Sequence, residues 1–239
     1  MSPGTAQIWG ADARPYPTGI PNLDVWAKAG TGLYQDAAMV TLAGSGDPLG
    51  AWKDSSGNGK HLTQATGANK PTLATDGGVV VATFGGGNVF LESPSLPAYK
   101  PGTFFALCKV TNFSNYYRLV SSLTNATFGI DIEQATGKIR FLATNLALIG
   151  TSTVAMTANT WQRVYVTYDA VQAFAFYING SAAGSGNLNQ ALNGGVLSMG
   201  DNRSEFPFLG SVAEWGFYAR DLTASEIAKL DAYLAAIGL

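Results

Sequence analysis

From about residue 79 the chain alternates short apolar runs with turn residues. VVVATF (79–84) stops at Gly85-Gly86-Gly87-Asn88, and TFFALCKV (103–110) follows Pro101-Gly102. YRLVSSL (117–123) ends at Thr124-Asn125, while TFGIDI (127–132) and KIRFLAT (138–144) flank Ala135-Thr136-Gly137. WQRVYVTYD (161–169) leads into QAFAFYING (172–180), and VLSMG (196–200) precedes LGSVAEWGFYAR (209–220). β-branched and aromatic runs broken by turn signals every ~8–12 residues predict an all-β sandwich or barrel. One segment changes period. Ile227, Leu230, Leu234 and Ile237 recur at helical spacing behind Thr223 and Glu226, a capping box, and Gly238 follows. This predicts one short C-terminal helix whose apolar stripe is buried on the sandwich. Residues 1–22, with Pro3, Pro15, Pro17 and Pro21, read as an extended arm packed on its own domain or on a partner. Residues 23–239 form the domain.

Composition narrows the chemistry. The 239 residues suffice for a large core without staples, and the 29 glycines suit tight turns. A single Cys108 excludes an intrachain disulfide framework and a Cys-based zinc site. A single His61 excludes histidine-rich metal centres. Lys and Arg total 14 against 16 Asp and Glu, a net charge of −2, which argues against nucleic-acid binding. No apolar run reaches the ~18 residues of a membrane span, and no signal-peptide pattern opens the chain. The four Asn-x-Ser/Thr sequons at Asn112, Asn125, Asn179 and Asn202 are expected to be incidental.

Three stretches carry a family resemblance. Trp52-Lys53-Asp54-Ser55-Ser56-Gly57-Asn58-Gly59 resembles the turn that opens many concanavalin A-like, laminin-G-type jelly rolls. Trp161 with Val166-Thr167-Tyr168-Asp169, then Phe176-Tyr177-Ile178-Asn179-Gly180, resembles a hairpin of that superfamily. Met199-Gly200, Phe208 to Glu214, Ala219 to Leu222 and Glu226-Ile227 resemble its closing strand-to-helix segment. The resemblance spans about residues 50–235. It implies a two-sheet antiparallel jelly-roll sandwich with the C-terminal helix packed on it. The motif residues themselves read as structural: Asn179-Gly180 as a type I′ turn, Trp161 and Trp215 as core aromatics.

Candidate chemistry follows. Laminarinase-type hydrolases of this fold present three carboxylates along one strand face. Here the strand reads Gly129, Asp131, Glu133, so the first is missing while two acids share a face. Retaining hydrolysis needs a carboxylate pair about 5–5.5 Å apart. Lectins and laminin-G domains of this fold often hold Ca²⁺ on hard oxygen ligands, which makes Asp54, Asn58, Asp201, Asn202 and Glu205 the candidate donors. No other cofactor is expected. Cys108 reads as a buried small hydrophobe, and no nucleophile elbow or phosphate loop occurs. Glycan binding needs an aromatic face and a few polar groups. Asn115, Tyr116 and Tyr117 in one loop, and Asn202 and Arg203 in another, are the candidates.

The expected function is a non-catalytic surface module of a larger assembly that binds host-surface glycans. By analogy with phage proteins carrying such jelly rolls, the setting is a virion surface, with synthesis in the host cytoplasm. Its expected partners are assembly proteins met through the arm or a sheet edge, a homo-oligomer and cell-surface glycans, without nucleic acid or membrane. The alternatives are a free-standing extracellular lectin or adhesin and, behind it, a glycoside hydrolase.

Overall fold

Alternate residues along the strands gather into one apolar layer between two antiparallel sheets. The computed structural model describes residues 17–96, 101–122, 128–143, 147–171, 173–188, 192, 194–200 and 206–239. Sheet A runs in the order β15 (Ser181–Asn187), β14 (Ala173–Ile178), β13 (Gln162–Tyr168), β8 (Gly102–Val110), β17 (Leu209–Tyr218), β6 (Val79–Gly85), β5 (Thr72–Asp76). Sheet B runs β12 (Ala147–Ala155), β11 (Lys138–Ala143), β10 (Gly129–Ile132), β9 (Tyr117–Ser122), β16 (Gly195–Met199), β7 (Leu91–Leu96), β4 (Leu62–Thr63), β3 (Ala51–Trp52), β2 (Leu33–Tyr34). β1 (Leu23–Ala27) also joins sheet A. It pairs with the second half of β17, whose first half pairs with β6. An irregularity between Val212 and Glu214 separates the two halves. The bulge bends the long strand so that one edge can serve two neighbours.

The inter-sheet core contains Trp52, Phe84, Phe104, Phe128, Phe141, Phe176 and Trp215, all buried. Cys108 lies among them, and burial pushes its thiol up to about 12. The cysteine is therefore a small apolar filler, as the sequence indicates. Asn179 and Gly180 have φ of 51° and 75° and make the β14–β15 turn, the left-handed pair expected of that dipeptide.

A second apolar layer lies on the outer face of sheet A. Helix α1 (Ala224–Ala235) buries Ile227, Leu230 and Leu234 there, with Val81, Phe105, Leu107 and Tyr165 in the same cluster. Its capping box forms: the Thr223 hydroxyl accepts from Glu226 N, and Glu226 accepts from Thr223 N at 2.9 Å. The end of the expected arm belongs to this layer too. Ile20 is buried in it, and the Tyr218 hydroxyl donates to Pro17 O at 2.9 Å. Residues 17–22 thus pack on their own domain, while residues 1–16 lie outside the described residues. Trp161 departs from the expected core position. It is half-buried at the edge of the outer layer, its Nε1 donating to Asp76 at 3.0 Å and Lys109 Nζ 5.2 Å from its ring centroid.

Candidate functional site

Ile130 and Ile132 of β10 point into the inter-sheet core, so Asp131 between them points to the opposite face. The register aligns Asp131 with Arg118 of β9 on one side and Arg140 of β11 on the other, and Arg140 with Thr151 of β12. A second row joins Ser121 to Ser198 and Ser198 to Glu92, which pairs in turn with Thr63. The outer face of sheet B is therefore polar across seven strands, in contrast with the apolar outer face of sheet A.

Its centre is a buried ion pair. Arg118 Nε meets Asp131 Oδ1 at 2.8 Å and Nη2 meets Oδ2 at 3.2 Å, with both side chains 1% exposed. This fork geometry fixes the guanidinium and engages both carboxylate oxygens. Arg140 has no carboxylate partner among the described residues, and its Nε is buried without a hydrogen bond. Its guanidinium lies 4.7 Å from the Tyr116 ring centroid, and that of Arg118 lies 5.0 Å from Phe206. Tyr116 and Phe206 meet edge to face at 5.6 Å and are both half-buried. Arg118 N donates to Phe206 O at 2.8 Å, which holds the second ring against the start of β9. Two arginines thus support two partly exposed aromatic rings, a cation–π arrangement that fixes ring orientation. Beside them, Ser198 Oγ is buried without a hydrogen bond.

The expected loop contributes unequally. Tyr116 belongs to the site. Asn115 is exposed beside it, its side chain accepting from Tyr116 N at 2.8 Å. Tyr117 does not belong. It is 4% exposed in the inter-sheet core, and its hydroxyl donates to Asn112 Oδ1 at 2.7 Å. A ring buried against the core offers no face to a sugar. Asn202 and Arg203 lie outside the described residues, as do Asp201 and Glu205. Arg118 and Arg140 escaped the sequence reading, whereas Phe206 closes the second candidate loop, Asp201 to Phe206. The available signal was a charged residue at an outward position inside the strands YRLVSS and KIRFLA.

The remaining calcium candidates serve a turn. Asp54 accepts from Trp26 N, Ser56 N, Ser56 Oγ and Lys60 N at 2.8–3.0 Å. Asn58 Nδ2 donates to Leu23 O at 2.9 Å and Asp24 O at 3.1 Å, clamping the turn on β1. Carboxylate oxygens already filled by four donors do not fit a calcium ligand, which needs free lone pairs. Among the described residues no group of three His, Cys, Asp or Glu could hold a metal. His61 completes the same turn, its Nδ1 accepting from Asp54 N at 3.1 Å.

The hydrolase strand is also not assembled as expected. β10 ends at Ile132, and Glu133 lies in the following turn, where its Oε2 accepts from Thr136 Oγ1 at 2.6 Å. Asp131 is held by Arg118. The two acids do not form a free pair on one face.

A profile of the concanavalin A-like lectin/glucanases superfamily matches residues 83–228. No curated protein sequence matches the chain. Solved structures show the same fold at low identity. A Trypanosoma rangeli sialidase in complex with sialic acid is 17% identical, covering 91% of this chain and 34% of its own, with a TM-score of 0.63. This chain therefore spans about a third of that enzyme. Domain 4 of AbnA, a GH43 extracellular arabinanase from Geobacillus stearothermophilus solved with arabinotriose, is 17% identical, covering 75% and 92%, with a TM-score of 0.60. A heptameric SAP-like pentraxin from Limulus polyphemus is 16% identical, covering 61% and 78%, with a TM-score of 0.52.

Proposed function

The chain belongs to the concanavalin A-like lectin/glucanase superfamily, and from that premise we propose that it is a non-catalytic carbohydrate-binding module. One observation carries the reading: Tyr116 and Phe206 stand partly exposed on a polar sheet face, backed by Arg140 and Arg118. An aromatic face stacks on the C–H side of a sugar ring, while guanidinium, amide and hydroxyl groups orient its hydroxyls. Arg140, with no carboxylate partner among the described residues, also favours an acidic sugar. The arabinanase domain, matched over 92% of its length, was solved with arabinotriose, which supports a sugar ligand for a domain of this fold.

The finer setting, a virion-surface module attached through residues 1–16, rests on the family analogy and on the Pro- and Gly-containing sequence of that segment. In this setting, deleting residues 1–16 removes attachment and leaves sugar binding intact.

A glycan array tests the module, run with calcium and with EDTA on the wild type and Tyr116→Ala. Binding to a defined sugar is expected to survive EDTA, since Asp54 and Asn58 are used by their turn. Tyr116→Ala is expected to weaken it about tenfold, equivalent to about 1.4 kcal/mol. Absence of binding in both conditions overturns the reading.

A further inference from the structure

The arginines of this chain are not equally occupied. Arg118 forks onto Asp131, and Arg163 forks onto Asp231 through the same two nitrogens, Nε at 2.7 Å and Nη2 at 3.2 Å. Arg220 meets Glu226 through both terminal nitrogens. Arg140 alone among the described arginines meets no carboxylate. The register sets Asp131 directly across from it, yet both Asp131 oxygens are bonded to Arg118. Its neighbour on the other side is Thr151, which carries no charge.

Arg140 is nevertheless held in place. Its Nε is buried without a hydrogen bond, and its guanidinium lies 4.7 Å from the Tyr116 ring centroid. The residue as a whole is half-buried, so part of it meets solvent. A buried donor without an acceptor destabilises the fold. Arginine at this position therefore adds little to stability. What it supplies is a fixed planar cation beside two partly exposed rings.

Resting on the carbohydrate-binding reading above, we propose that the sugar bound at this site carries a carboxylate and that Arg140 is the residue that selects it. The carboxylate meets the terminal nitrogens of Arg140 in two parallel charge-assisted bonds, while the sugar ring lies against Tyr116 and Phe206. A carboxylate presents two coplanar oxygens to that planar fork. A sulfate ester presents three oxygens on a tetrahedron, and a single fork flanked by aromatic carbon leaves at least one of them unserved. A neutral sugar leaves the guanidinium without a counter-ion. The ligand chemistry is common to hexuronic acids, with the carboxylate on C5, and to ulosonic acids, with it on the anomeric carbon.

The test prints matched glycans: hexuronic and ulosonic acid sugars, the methyl ester of each, and sulfated and neutral counterparts. The full chain is applied as wild type, Arg140→Met and Arg140→Lys, and the thermal midpoint of each is measured. The wild type is expected to bind a carboxylated sugar about tenfold or more tighter than its ester, and the acid that binds identifies the source. Arg140→Met should bind acid and ester alike, at the level of the ester, with a thermal midpoint no lower than that of the wild type. Arg140→Lys keeps the charge but not the planar fork, and should lose most of the preference. Equal binding of acids and neutral sugars overturns the proposal and leaves the sugar-binding module standing, whereas binding of no sugar overturns both. Equal binding of sulfated sugars, or a preference for acid over ester that persists in Arg140→Met, also overturns it.

Discussion

On the outer face of sheet A, Val81, Phe105, Leu107 and Tyr165 share a buried cluster with Ile227, Leu230 and Leu234 of the helix. On the outer face of sheet B, Arg118, Asp131, Arg140, Ser121 and Ser198 occupy the equivalent outward positions. Both faces use the same period-2 alternation, and both bury much of what they carry. The difference is in what the burial stabilises. Apolar side chains under a helix gain free energy from leaving water, roughly 25 cal/mol per Å². A buried ion pair roughly breaks even at best, since desolvation offsets the attraction. A face that gains little stability from its charged residues is the better place to look for function.

The largest effect should come from splitting the ion pair. Arg118→Ala strands the Asp131 carboxylate in a site where both partners are 1% exposed, and should cost about 3–5 kcal/mol in chemical denaturation. Replacing both partners, Arg118→Met with Asp131→Leu, should recover that loss while leaving sugar binding impaired. Full binding by the double variant would show that the pair has no part in the site.

The same experiment on sheet A gives the opposite pairing of outcomes. Leu230→Ala opens a cavity beneath the helix at a fully buried position and should cost about 2–5 kcal/mol. Sugar binding by the folded fraction should be unchanged, because the helix lies on the other sheet. Loss of binding would mean that the two faces are coupled.

The strands with bulky apolar alternation were legible in the sequence, and so were the helix and its capping box. β15 and β12 were not. SAAGSGN carries no large apolar residue, and ALIGTSTVA shows half-exposed Leu148 and Val154 at an edge, where packing no longer imposes alternation. β7 was hidden by Pro94, which sits where the β7–β16 register shifts, the kind of irregularity at which a strand tolerates proline. In the candidate site, Tyr116 was legible because aromatic and amide residues cluster in its loop. Arg118 and Arg140 were not, because pairing across strands depends on register, which the strand sequences alone leave open. Tyr117 was misassigned for the same reason: a one-residue step along β9 separates the core from the outer face.

Two carboxylates on the helix side refine the comparison through pH. Burial raises the pKa of Glu214, although it accepts from Trp26 Nε1 at 2.7 Å, Ala29 N at 3.0 Å and Tyr233 Oη at 3.3 Å. Between its unfolded value of 4.5 and its folded value, the native state holds the extra proton. Its contribution to stability is therefore full below pH 4.5 and is lost as pH rises through the folded value. Denaturation midpoints of Glu214→Gln, compared with the wild type above pH 4.5, should lack that decline. A parallel decline in both proteins would assign the proton elsewhere.

Glu226 runs the other way and should give the smallest effect. Hydrogen bonding from Arg220 holds its carboxyl at about 2, with Thr223 adding to the shift. The folded value lies below the unfolded 4.5, so its contribution is present above pH 4.5 and is lost as pH falls toward 2. Because the pair lies at the surface, with each side chain 22% exposed, solvent screening keeps its gain small. The cap itself is the better handle. Thr223→Ala removes the acceptor for Glu226 N and should cost about 1 kcal/mol at neutral pH. At pH 2 the variant and the wild type should differ less than at pH 7, because protonation of Glu226 weakens the bond it accepts from the Thr223 hydroxyl at 2.9 Å, which only the wild type makes. A difference that is constant with pH would place the whole effect in the hydroxyl and none in the carboxylate.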